Sequence, residues 1–257
     1  MMKGYDIVGN IAIVKFERDA KKSDKIKDAK NLVKQHSNIS SVLEKSGKFS
    51  GRLRTLKTKF VYGIDTKEVV YKENNCVFRF NVDTCYFSPR LSTERLELAN
   101  MVKKGEEVLV LFAGVAPFSI VIAKNSKPSR VVSVELGREC KKYAIENVKK
   151  NKTDNVEIVQ GDVRRILPKM HEKFDRVVMS RPNLKDSFLD VSFPRVKKGG
   201  FIHYYGFYEE DKLEDMIVMI EKEAKKAKRK IKILKVKKAG DIGKHKYRYR
   251  ADIKMLN

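Results

Sequence analysis

Three short stretches carry residue types suited to recognising a nucleoside. FAGVAPF (112–118) contains Gly114, which can bring backbone close to a ligand, directly before a helical pattern whose first N–H groups lack partners. About twenty residues on, Glu135 ends the apolar run VVSVE, where a carboxylate would accept hydrogen bonds from ribose hydroxyls. Asp162-Val163 follows VEIVQG and offers a polar edge beside an apolar face, as an adenine requires. The dinucleotide fingerprint GxGxxG is absent, since Gly114 alone remains of its glycines. A diphosphate would need more glycines to admit it; a cofactor without phosphates, such as S-adenosylmethionine, would not. Taken singly, Gly114 also reads as a tight turn and Glu135 as a solvated strand end. Their common register carries the inference.

That register is set by alternating strands and helices. VLVLF (108–112), VVSVE (131–135), VEIVQ (156–160), FDRVVM (174–179) and FIHYY (201–205) read as short buried strands. Helical patterns follow at 117–124, 138–151 and 211–230, and IKILKV and YRYRADIKM close the chain. The order predicts an α/β doubly wound parallel sheet, in which ligands sit beyond the carboxyl ends of the strands. Before it, residues 1–86 read as a small α+β domain, with residues 87–257 forming the α/β domain. DIVGNIAIVKF suggests two strands around Gly9-Asn10, Ile26, Ala29, Leu32 and Val33 recur at helical spacing, and residues 76–82 alternate as a half-buried strand.

Composition narrows the partners. Among 257 residues, 57 Lys+Arg outnumber 33 Asp+Glu, a net charge of +24, while 42 % apolar residues suffice for a core. Such an excess calls for a polyanion. The longest uncharged run, residues 108–123, is too short to span a bilayer and is broken by Gly114 and Pro117. No signal-peptide core begins the chain. Cys76, Cys85 and Cys140 are odd in number and scattered, and the four histidines show no metal spacing, so neither a disulfide framework nor a metal site is expected. A cytoplasmic, nucleic-acid-binding protein remains, with nothing requiring more than a monomer. Residues 225–238 hold nine Lys or Arg among fourteen and no acid, and KHKYRYR interleaves bases with Tyr247 and Tyr249; both are expected to face a phosphate backbone, although a charge run is also the ordinary mark of a solvated face.

YFSPRLSTER (86–95), LFAGVAPFSI (111–120), GDVR (161–164), VVMSRP (177–182) and GGFIHYY (199–205) resemble the archaeal and eukaryotic tRNA (guanine-37) N1-methyltransferases, whose superfamily includes the wybutosine-synthesising aminocarboxypropyltransferases. YDIVGNIAIVKF, SGKFSGRLRT and EVVYKE resemble that family's small tRNA-facing domain, and the chain is expected to start after a further elbow-binding domain that many relatives carry. The resemblance implies a Rossmann-like class I S-adenosylmethionine-dependent methyltransferase domain, tRNA as partner and, with the Lys-rich, Trp-free composition, an archaeal source. It implies Glu94 as general base, Arg90 as a neighbouring cation, and Arg54 as the residue that positions and polarises guanine. It places Tyr86, Ser88, Arg95, Phe112 and Gly114 around the cofactor, Glu135 on its ribose and Asp162-Val163 on its adenine. Without the motif, Glu94 would read as a surface partner of Arg90 one helical turn away.

The chemistry suits these types. Guanine N1 carries a proton and is a poor nucleophile until a carboxylate removes it, and negative charge then builds on O6, where an arginine stabilises it. Two departures from the family matter. Ser180-Arg181-Pro182 stands where Asn-Leu-Pro is usual, so that Ser180 offers a short donor and acceptor and Pro182 fixes the turn. Ala116 replaces a glycine, and its methyl group would crowd the cofactor or demand a different backbone angle. Two alternatives follow: aminocarboxypropyl transfer to a wyosine precursor, disfavoured by Pro117-Phe118-Ser119 where that branch has GHLS, and a tRNA-binding protein that has lost catalysis.

Overall fold

Short strands around one helix make the first elements of the protein. In the computed structural model, which describes residues 1–47, 49–180, 186–243 and 245–257, β1 (Met2–Val8) turns at Gly9-Asn10 into β2 (Ile11–Phe16), followed by α1 (Lys22–Gln35), β3 (Ser41–Lys45) and β4 (Thr58–Gly63). They form a sheet in the order β1-β2-β3-β4. The helix is the crossover that lets β2 and β3 run parallel. Its apolar stripe, Ala29 and Leu32, is buried with Ala12, Val14 and Val42. Gly9, at φ +59, is obligatory: an added Cβ would lie 2.1 Å from the Val70 carbonyl oxygen. β5 (Glu68–Glu73) and β6 (Cys76–Asn81) make a separate hairpin, turned by Asn74 and Asn75, both at positive φ. These elements belong to one compact unit, Met1–Pro89; Arg90–Asn257 is the second.

The second unit begins with α2 (Ser92–Met101) and β7 (Glu107–Leu111). There follow α3 (Pro117–Asn125), β8 (Arg130–Glu135), α4 (Arg138–Asn151), β9 (Val156–Gln160), α5 (Val163–Ile166) and β10 (Phe174–Met179). The chain closes with α6 (Leu189–Ser192), β11 (Val196–Glu209), α7 (Leu213–Lys226), β12 (Ile231–Gly243) and β13 (Lys246–Met255). The sheet order is β12-β13-β11-β10-β7-β8-β9. Five strands, β9-β8-β7-β10-β11, are parallel as expected. The pattern ends there: β12 follows the α7 crossover and runs in the sense of β11, whereas β13 follows β12 with no crossover between them and so runs antiparallel to it, and hence to β11. The final helix also stops at Lys226, short of the expected residue 230. Lys228 adopts φ +53, and Arg229 N–H returns to the Ala224 carbonyl at 2.8 Å, closing the helix so that Ile231 can enter the sheet.

Strand order reverses between β7 and β10, which makes their carboxyl ends the switch point. Leu109, Leu111, Val132, Val177, Met179, Ile202 and Ile253 fill the core around it. Cys76, Cys85 and Cys140 are buried, and among the described residues no two of them form a disulfide. Among the described residues, no helix is long and apolar enough to cross a membrane.

Candidate active site

At the switch point the chain after β7 makes three left-handed turns in five residues, with Phe112 at φ +61, Gly114 at +58 and Ala116 at +65. Such backbone costs on the order of 1 kcal/mol for each residue bearing a Cβ. Glu135 holds the loop in place. Its Oε2 accepts the Gly114 N–H at 2.7 Å and its Oε1 accepts the Gly137 N–H at 2.6 Å. With 7 % exposure Glu135 is no solvated strand end. Burial pushes its carboxyl pKa up, against the backbone N–H groups of Gly137 and Gly114 that favour the charged form. Ala116 caps α3 with backbone alone and is fully buried. The different backbone angle expected of an alanine here is not adopted: Ala116 takes the left-handed angle that a glycine reaches freely.

Beyond β9, the Gly161 N–H donates to the Glu135 carbonyl at 2.8 Å, which draws the Asp162 turn beside β8. Asp162 caps α5, accepting the Arg164 N–H at 2.9 Å, and Val163 is buried in the core. Beyond β10, Ser180 points back into the sheet. Its hydroxyl donates to the Leu111 carbonyl at 3.1 Å and lies 3.4 Å from that of Phe112. The serine thus straps the two strands that flank the switch point. Arg181 and Pro182, the other members of that motif, lie outside the described residues.

Glu94 projects from the first turn of α2 and is buried at 5 % exposure, which excludes a solvated pairing. The Tyr205 hydroxyl donates to its Oε1 at 2.7 Å, Arg250 Nη1 binds the same oxygen, and Lys237 Nζ lies 3.1 Å from Oε2. Arg250 also holds Glu97 at 2.8 Å and Asp252 at 3.0 Å, and Lys237 pairs with Glu97. Burial pushes the Tyr205 phenol far above its ordinary pKa, and Glu94 adds to the effect, so Tyr205 serves as a donor. The Glu97 carboxyl is held below its ordinary value: burial raises it, but Lys237 and Arg250 outweigh that. Arg95, on the same helix, is buried with its guanidinium 5.8 Å from the Phe118 ring; Arg90 is exposed.

Arg54, Tyr86 and Ser88 belong to the first unit. The turn 50–55, closed by hydrogen bonds in both directions between Ser50 and Thr55, sets Arg54 at φ +54 with its guanidinium 4.1 Å above the Tyr86 ring. Phe49 meets Tyr86 edge-on at 5.1 Å. The Arg54 Nε is buried and has no hydrogen-bond partner among the described residues. A cation with an unspent donor on an aromatic ring is suited to an electron-rich purine. Ser88 is half-buried.

Sequence reasoning missed Tyr205, Arg250, Lys237 and Glu97. KHKYRYR reads as a basic outer face, yet Arg248 and Arg250 are buried, at 7 % and 0 % exposure, on the penultimate strand of the sheet. The available signal was alternation within a closing strand beside buried acids, which periodicity alone cannot tell from a solvated basic strand.

The model of the TRM5/TYW2 methyltransferase domain matches residues 69–234. A tRNA (guanine(37)-N(1))-methyltransferase, Trm5b, of Pyrococcus abyssi is 37 % identical over 203 residues, 79 % of this chain; the chain spans 59 % of that protein. Its crystal structure superposes with a TM-score of 0.88 at 32 % identity, over 99 % of this chain and 76 % of that one. The tRNA (guanine(37)-N(1))/4-demethylwyosine(37)-methyltransferase Taw22 of Nanoarchaeum equitans is 33 % identical over 98 % of this chain and 99 % of its own length. A complex of aTrm5 with tRNALeu gives a TM-score of 0.84 at 25 % identity, over 98 % of this chain and 72 % of that one.

Proposed function

We propose that this chain, which belongs to the TRM5/TYW2 methyltransferase family, methylates N1 of guanine 37 in tRNA with S-adenosylmethionine as donor. The observation that carries the reading is the Glu135 carboxylate joined to the Gly114 N–H at the switch point. It makes a nucleoside crevice whose loop has a single glycine and no cradle for a diphosphate. The residues present fit the cofactor: Glu135 for the ribose hydroxyls, Asp162 and Val163 for the adenine, and Phe112 and Gly114 beside them, with Tyr86, Ser88 and Arg95 at family positions. When bound, S-adenosylmethionine supplies an electrophilic methyl group. Glu94 takes the N1 proton, a contribution on the order of 10²–10⁴-fold. Arg54 offers a cation to the charge that develops on O6, and Arg90, Ser180 and Pro182 complete the family's active-site set.

The test is incubation with unmodified tRNA and cofactor labelled on either the methyl or the carboxypropyl carbon. Methyl label in 1-methylguanine is the expected result, and Glu94→Gln should remove it while leaving cofactor binding intact. Carboxypropyl label would replace the reading with aminocarboxypropyl transfer, and tRNA binding without either label would make the protein a binding module. The near full-length match to a relative named for both guanine-37 and 4-demethylwyosine methylation favours a second substrate, so tRNA bearing 4-demethylwyosine belongs in the same assay.

A further inference from the structure

The two oxygens of Glu94 are held differently. Oε1 is gripped by Tyr205 and Arg250, whose side chains are almost completely buried and which face each other across the β11–β13 pairing. Oε2 meets Lys237, whose side chain is 25 % exposed and is shared with Glu97. The Tyr205 ring packs at 5.8 Å against Phe118, at the start of α3, so its hydroxyl is aimed by the core. We propose that Tyr205 and Arg250 are positioning residues that fix the Glu94 carboxylate through Oε1, leaving Oε2 to exchange Lys237 for the proton of guanine N1. This rests on the reading of Glu94 as the base.

The charged and titratable groups around Glu94 are Tyr205 from β11, Lys237 from β12, Arg250 and Asp252 from β13, and Glu97 on its own helix. Neither residue reaches the methyl group in this role, so its loss should act on the chemical step and not on substrate binding. Tyr205→Phe keeps the ring and its packing and removes the donor to Oε1. In single-turnover methyl transfer at saturating tRNA and cofactor its rate should fall by about 10- to 100-fold, the worth of one charge-assisted hydrogen bond, with the KM for tRNA and the cofactor dissociation constant unchanged. Arg250→Lys should keep more of the rate than Arg250→Met; if these variants do not fold, Tyr205→Phe decides alone. A Tyr205→Phe rate equal to wild type, with Glu94→Gln inactive, overturns the positioning role by itself. Full activity in Glu94→Gln, or no methyl transfer by the wild type, ends the reading beneath it, and the proposal falls with it.

Discussion

Glu135 is asked to do two things, to order the Gly114 loop and to meet a ribose, and both need its charged form. Glu135→Ala should weaken S-adenosylmethionine binding by about 10–100-fold, the range of one charge-assisted hydrogen bond. Calorimetric titration checks this, and an unchanged dissociation constant would remove the residue from the site. Because burial raises its pKa, the carboxylate form is lost sooner on acidification than that of an exposed glutamate. Affinity should therefore fall as pH drops through that raised value, a dependence absent from the alanine variant. Ser180 and Ala116 show that departures from a motif need not leave holes. The serine spends its hydroxyl on the backbone of β7, and the alanine takes the left-handed angle a glycine would have taken.

Among the elements, β10, β11 and β13 are laced by buried charge. His203 Nδ1 lies 2.6 Å from Asp252 Oδ1, and its Nε2 lies 2.6 Å from Arg176, which holds Glu106 at 2.9 Å and the carbonyl of Met101 at 2.8 Å. An arginine can only donate, so Nε2 accepts, Nδ1–H donates to Asp252, and the imidazole is neutral. Burial lowers the His203 pKa, with Arg176 and Arg250 adding to it and Asp252 opposing. The unfolded chain takes up that proton below about pH 6.5, whereas the folded chain refuses it until lower pH. Stability should therefore fall as pH drops below that point, by at most about 1.4 kcal/mol per pH unit from this group. Asp252 is shifted in the same direction and with the same outcome. Burial raises its pKa, but His203 and Arg250 bring it below the ordinary value, so the stability it contributes is lost as pH falls through the carboxylate range. Thermal unfolding across this interval is the measurement. His203→Gln should be less stable overall yet flatter between neutral and mildly acidic pH; an undiminished slope would refute the assignment.

For the whole molecule, the excess of +24 is not all surface, since Arg95, Arg176, Arg248 and Arg250 are buried and work inside the second unit. Lys232 and Lys235 of β12 are exposed, whereas Lys237 on the same strand is half-buried against Glu94 and Glu97. If these two lysines bind tRNA phosphates, they alone should account for about a 10-fold drop in affinity between about 50 and 200 mM salt. Lys232→Ala and Lys235→Ala should each reduce the slope of log affinity against log salt by about one. Filter binding over a salt series decides, and an unchanged slope would free that strand from RNA contact.

The alternation of strands and helices, the three post-strand residues at Gly114, Glu135 and Asp162, and the FSPRLSTER segment were legible in the linear chain, because each depends on local period or spacing. The antiparallel return of β13, the early end of α7 and the inward turn of Ser180 were not. Nor was the grip on Glu94: Tyr205 and Arg250 lie 111 and 156 residues away from it. Residue types by themselves determined the parallel core and the chemistry available. Tertiary structure alone decided which charges are buried together, because a lysine or arginine reads the same in sequence whether it meets a carboxylate or a phosphate, and only packing removes the water that would make the two environments alike.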